Sequence, residues 1–168
     1  SAVPLSPASK TKVALPAAEF SKLPLFFQPD EPFKPLVSGT LSPEQQRALI
    51  RELFIKESDT DRAAILEDYL FNALQFTEQK RFSALKTWAF LSILSVLHKA
   101  SMATTDMRPG LRIEESFGYF KRLLVAHSIQ RPPYSVRIFT LEESQAITRY
   151  VTHTFFRHFR LYQFVFTK

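Results

Sequence analysis

The eleven prolines divide this 168-residue chain into a stretch that resists regular structure and a stretch that permits it. Seven of them, Pro4, Pro7, Pro16, Pro24, Pro29, Pro32 and Pro35, fall within residues 1–40. Each fixes φ and removes a backbone donor, so no regular helix or central strand is expected there. The other four, Pro43, Pro109, Pro132 and Pro133, stand where one helical pattern stops or the next begins. Glycine has only 3 copies, which argues against a β-rich fold full of tight turns. The chain therefore reads as all-α: a single bundle of about five helices over residues 41–168, preceded by an extended Pro-rich arm over residues 1–40.

The helix starts are marked by side chains. Ser42 is a candidate N-cap with Pro43 at the first helical position, and Leu49, Ile50, Leu53 and Phe54 share one side of that helix. Asp59 or Thr60 caps the next helix, whose Ile65, Leu66, Tyr69, Leu70, Ala73 and Leu74 form a wide apolar stripe. The short connection makes these two helices antiparallel neighbours. Ser83 opens a third helix that is apolar on nearly every side from Trp88 to Leu97, the mark of a bundle's centre. MATTDMRPGLR then reads as a loop, and a fourth helix carries Ile113, Phe117, Phe120, Leu124 and His127 at helical spacing. YSVRIF at 134–139 is the only short strand candidate and reads rather as an extended loop. Thr140 and Glu143 have capping-box spacing and start a last helix that reaches about Phe164. The arm is not a polar linker, since LPLFFQPDEPFKPLV carries Leu23, Leu25, Phe26, Phe27, Phe33, Leu36 and Val37. It is expected to lie extended along its own domain or along a partner.

Most catalytic chemistries lack their residues. There is no cysteine, so thiolate and disulfide chemistry are excluded. Gly39, Gly110 and Gly118 stand alone, which leaves no phosphate-cradling loop. His153 and His158 are separated by about 140° around a helix and cannot readily share a metal ion. A calcium loop beginning at Asp59 and Asp61 would place Ala64 and Leu70 where glycine and glutamate are needed. No G-x-S-x-G is present, and His127 lies on an apolar stripe as a core histidine. Glu114, Glu115, Glu142 and Glu143 are helix-start acids favoured by the dipole. No catalytic, cofactor or metal residue is assigned, and no small-molecule substrate is expected. The longest apolar run, Thr87 to Leu97, is too short to span a bilayer, and SAVPLSPASK lacks the apolar run of a leader. The expectation is a cytoplasmic, non-enzymatic protein.

The net charge of +6 is uneven. Residues 106–168 hold ten basic and five acidic groups, whereas residues 41–105 hold eight of each. Nearly all the excess lies in this last third, which includes the last helix. At 100° per residue, Ile147, Val151, Thr154, Phe155, His158, Leu161, Tyr162 and Val165 gather on one side. Arg149, His153, Phe156 and Arg160 gather opposite, with Arg157 and Phe164 at the margin. The first side is a core face. The second supports three readings: a solvated face, a protein-binding face anchored by Phe156 with an arginine rim, or a basic nucleic-acid or acidic-lipid binding surface. The partner-binding residues read from this pattern are Arg149, His153, Phe156, Arg157 and Arg160, with Phe26, Phe27 and Phe33 of the arm as a second contact.

The same stretch resembles a known family. RPPYS at 131–135, TFFRHFRLYQFVFT at 154–167 and ESFGYFKRLLVAHSI at 115–129 are similar to the closing block of a small eukaryotic family of ciliary proteins. In animals this is the family of cilia- and flagella-associated coiled-coil domain-containing protein one hundred and eighty-nine. LEDYLFNALQF at 66–76 extends the likeness more loosely. The resemblance implies a non-catalytic scaffold of the motile axoneme in a projection of the central-pair microtubules, with a radial-spoke connection as another placement. It further implies a large scaffold protein, small projection subunits and calmodulin as neighbours. The coiled coil of the family name is absent, because no segment sustains three heptads with charged flanks.

Overall fold

Every helix start that the sequence marks carries its cap. A computed structural model of the protein describes residues 31–106, 108–132 and 135–167. These hold seven α-helices: α1 (Lys34–Val37), α2 (Pro43–Phe54), α3 (Thr60–Gln79), α4 (Ala84–Met102), α5 (Ile113–Ala126), α6 (Leu141–Val151) and α7 (Phe159–Phe166). At α2, Ser42 Oγ accepts from Gln45 N at 3.3 Å while Gln45 Oε1 accepts from Ser42 N at 2.9 Å. Asp59 accepts from Arg62 N at 2.9 Å and Ser83 Oγ from Lys86 N at 3.3 Å. At α6, Glu143 N donates to Thr140 Oγ1 at 3.2 Å and Thr140 N to Glu143 Oε2 at 2.9 Å. Each cap satisfies amides that the first turn leaves open, worth about 1 kcal/mol apiece.

Helix α4 is central, as its all-round apolarity requires. Phe90, Leu91, Ile93, Leu94 and Leu97 are fully buried, and α3, α5, α7 and α1 all pack on it. Helices α2 and α3 are clamped by Arg47, which reaches Glu67 at 3.2 Å and Asp68 at 2.6 Å, and by Arg51, which reaches Glu67 at 2.7 Å. Lys86 bonds Glu143 at 2.6 Å and ties the start of α4 to the start of α6. Such partly exposed pairs each contribute at most about 1 kcal/mol, so they set register more than they hold the bundle together.

Two local expectations need correction. Residues 31–37 are not extended. A 3₁₀ turn over Glu31–Phe33 leads into α1, with Pro35 in its first turn, where a missing amide donor costs nothing. Phe33 and Leu36 are fully buried, and the Phe33 ring meets Trp88 edge-on at 4.9 Å. This end of the arm belongs to the core. The loop after α4 contains a small antiparallel pair, β1 (Thr104–Thr105) with β2 (Arg108–Pro109). Gly110 comes next at φ +76°, and a Cβ there would lie 2.6 Å from the Ser101 carbonyl that accepts Leu111 N at 2.9 Å. Only glycine fits that turn. The segment before α6 is an extended strap, as expected: the His127 carbonyl accepts from Ile138 N at 2.8 Å and Phe139 N at 3.0 Å.

His127 is fully buried with Nδ1 2.7 Å from the Leu123 carbonyl, so Nδ1 carries the proton in this core histidine. Sequence reading did not single out the second buried histidine. His98 is 5% exposed and ringed by Tyr69, Phe155, Tyr162 and Phe166, with the Phe166 ring centre 4.6 Å away. Its Nε2 has no hydrogen-bond partner among the described residues. Burial pushes the His98 pKa down from the ordinary 6.5 to about 4, and burial also lowers that of His127. Both rings are therefore neutral in the fold at pH 7. Below about pH 6.5 the unfolded chain gains protons that the fold cannot accept, so stability is full above that pH and declines toward pH 4. Urea unfolding should show His98 alone removing about 2–3 kcal/mol by about pH 4.5. His98→Leu should flatten that dependence.

Candidate protein-interaction surface

The surface of the last helical segment is set by a break in its periodicity. Hydroxyls along α6 bond back to carbonyls one turn earlier: Ser144 to Thr140 at 2.8 Å, Thr148 to Ser144 at 2.8 Å and Thr152 to Thr148 at 2.8 Å. Thr154 does the same to Tyr150 at 2.7 Å. Such bonds compete with the backbone ladder and bend helices. Directly after α6 the chain forms a π turn over Thr152–Phe156, closed by Arg157 N donating to Thr152 O at 3.1 Å, five residues back. A π turn takes in one more residue than an α turn, so side chains beyond it are displaced around the axis relative to an unbroken helix.

That extra residue brings Phe156 into the core beside Phe155. Phe155 is fully buried, Phe156 is 8% exposed and Phe159 is 2% exposed. Phe156 meets Phe117 at 5.2 Å and Phe120 at 6.1 Å, both on α5, and stacks on Phe159 at 6.1 Å. Its expected place as an exposed anchor is overturned. Burying a phenylalanine contributes about 2–3 kcal/mol, which exceeds the roughly 1 kcal/mol cost of one poorer backbone bond. The displacement also turns His158 and Leu161, expected inside, to solvent.

The resulting exterior is a stripe. Arg160, Leu161 and Phe164 stand one, three and four residues apart along α7, with Arg157 in the turn before it. Leu161 is 65% exposed and Phe164 is 63% exposed. Arg149 and His153 are exposed further back, Arg149 beside a shallow depression formed with Ser144, Gln145 and Thr148. Arg149, Arg157 and Arg160 form no ion pair among the described residues. Gln163, on the other side of α7, donates to the Leu111 carbonyl at 2.7 Å and moors the helix to the turn after β2. Of the expected second contact, Phe33 is buried in the core and cannot serve; Phe26 and Phe27 lie outside the described residues. Sequence reading placed Leu161 in the core and Phe164 at a margin. The signals for the displacement were the hydroxyls at 144, 148 and 152 and the adjacent Phe155–Phe156 pair.

No group of three histidine or acidic side chains that could hold a metal occurs among the described residues. No helix among them is long and apolar enough to cross a membrane.

Fold and stripe together define an all-α domain whose distinctive chemistry lies on its outside. The family model described as CLAMP, flagellar C1a complex subunit C1a-32, matches residues 72–168. That is more than half of the chain and includes the π turn, the stripe and most of the bundle, so the chain belongs to this family of axonemal central-apparatus subunits. Membership places it in the axoneme of cilia and flagella, in agreement with the resemblance read from its aromatic blocks.

The two phenylalanines separate by stability. Phe156→Ala should cost about 3–5 kcal/mol in urea unfolding because it empties a packed site. Phe164→Ala should cost less than about 1 kcal/mol.

Proposed function

We propose that this domain is a non-catalytic scaffold subunit of a central-pair microtubule projection, acting in ciliary motility through protein–protein contacts. Its partner surface is the stripe of Arg157, Arg160, Leu161 and Phe164, extended by Arg149 and His153. The observation that carries this reading is the pair of large apolar side chains on α7, each about two-thirds exposed, beside arginines that form no ion pair among the described residues. Aromatic and aliphatic anchors rimmed by arginine are the usual make-up of a protein interface. The matching partner presents an apolar depression edged with carboxylates. Among the neighbours that the family resemblance implies, the large scaffold protein and the small projection subunits are the first candidates, with calmodulin nearby.

The moored position of α7 supports the same reading. Gln163 and the half-buried Tyr162 hold the inner side of the helix, so the outer side is presented without unfolding anything. A preorganised face loses little conformational entropy on binding.

The test uses cells whose axonemes lack this chain. A tagged protein carrying Arg160→Glu and Leu161→Ser should keep its melting temperature, because both side chains are exposed. Its incorporation into isolated axonemes should fall at least about tenfold relative to wild type, the effect of losing one interface hot spot. Wild-type occupancy by the variant would remove the stripe as the partner surface.

A further inference from the structure

A second surface is built by α2, α3 and α4 and includes no residue of the stripe. The C-terminal end of α2, the middle of α3 and the later turns of α4 enclose a groove of about 450 Å³. Leu53, Phe54, Ile55, Leu66 and Val96 are its half-buried apolar walls, over a floor of buried Tyr69, Leu70 and His98, and Glu57 also lines it. Lys56 and Lys99 stand exposed at the rim. We propose that this groove binds an extended, proline-containing apolar peptide, and that the occupant is Leu23–Phe27 of the same chain, LPLFF.

Three observations carry the proposal. The first is the character of the wall. Residues 55–57 are not helical, and Ile55 has φ −107° and ψ 115°. Among the described residues, the backbone amides of Lys56 and Glu57 donate to no backbone carbonyl. An extended backbone whose amides donate to no backbone carbonyl among the described residues can pair with an extended peptide, and apolar side chains of that peptide then fill the groove. Proline is tolerated in such a peptide where its nitrogen faces away from the wall.

The second observation is where the described chain begins. Phe33 is fully buried against Trp88 at 4.9 Å, and Trp88 meets Phe54, a groove wall, at 5.6 Å. The chain thus enters its own core one ring away from the groove. Phe27 precedes Glu31 by four residues, a reach of roughly 13 Å when extended. A tether this short gives an effective concentration in the millimolar range, so even a weak contact is well populated.

The third observation is chemical match. Four of the five residues of LPLFF are large and apolar, a composition that free linkers avoid. Asp30, between this segment and the entry point, complements the lysines of the rim.

The chain has no cysteine, which permits a clean test in the full-length protein. Phe26→Cys is combined with Leu66→Cys in the groove or, as a control, with Val125→Cys, which is 50% exposed on α5. A disulfide requires Cα atoms about 4.4–6.8 Å apart. Under mild oxidation the groove pair should form an intramolecular disulfide at least about tenfold faster than the control pair. Phe26→Cys with Val96→Cys should behave like the Leu66 pair, and it decides the matter if Leu66→Cys impairs folding. Equal rates for groove and control pairs would overturn the proposal. So would disulfides formed only between two molecules, which would make a second copy the occupant.

Discussion

A hydrogen bond that reaches back five residues, from the Arg157 amide to the Thr152 carbonyl at 3.1 Å, decides which way the C-terminal segment faces. Without it, a continuous α-helix would send Phe156 outward and leave the pocket beside Phe117 and Phe120 unfilled. With it, Phe155 and Phe156 enter the core together and α7 emerges rotated, with Leu161 and Phe164 outside. One local irregularity thus links the hydroxyl-rich sequence of α6, the aromatic packing between α5 and the chain end, and the chemistry of the exposed face. The trade is favourable because one more buried ring, that of Phe156, outweighs one imperfect turn.

The rest of the bundle makes that irregularity tolerable. Helix α4 provides a buried axis, and Tyr69 of α3 and His98 of α4 form an aromatic bed on which Phe155, Tyr162 and Phe166 rest. The chain end is moored a second time where Gln163 meets the Leu111 carbonyl, beside the turn that only Gly110 can make. The stripe therefore sits on a rigid support. It is fixed through shared core residues rather than through exposed ion pairs.

Most of the fold was legible because its signals are local. Ser42, Asp59, Ser83 and Thr140 each cap the helix they mark, and the all-round apolarity of Trp88 to Leu97 identified the central helix. The errors arose where the signal is not local. Pro32 and Pro35 argued for extended chain, yet a single helical turn accommodates proline at its start, and burial of Phe33 and Leu36 pulled that turn into the core. The face of the last helix departs from its periodicity because a uniform 100° per residue does not hold across a segment that gains a residue at its midpoint. Arg149, His153, Arg157 and Arg160 were still found outside, because each remained polar enough to face water in either register. Phe156 and Leu161 exchanged sides, and no periodicity count could reveal this without knowing that α5 offers a pocket for a second ring.

The rotation of α7 is best tested by measuring which side chains water can reach. Single cysteines placed at Phe156, Arg160, Leu161 and Phe164 in the cysteine-free chain can be timed for reaction with a small thiol reagent. A rotated α7 requires rapid labelling at 160, 161 and 164 and slow labelling at 156, limited by opening of the core. Rapid labelling at 156 together with protection at 161 would show an unbroken α-helix and would contradict it.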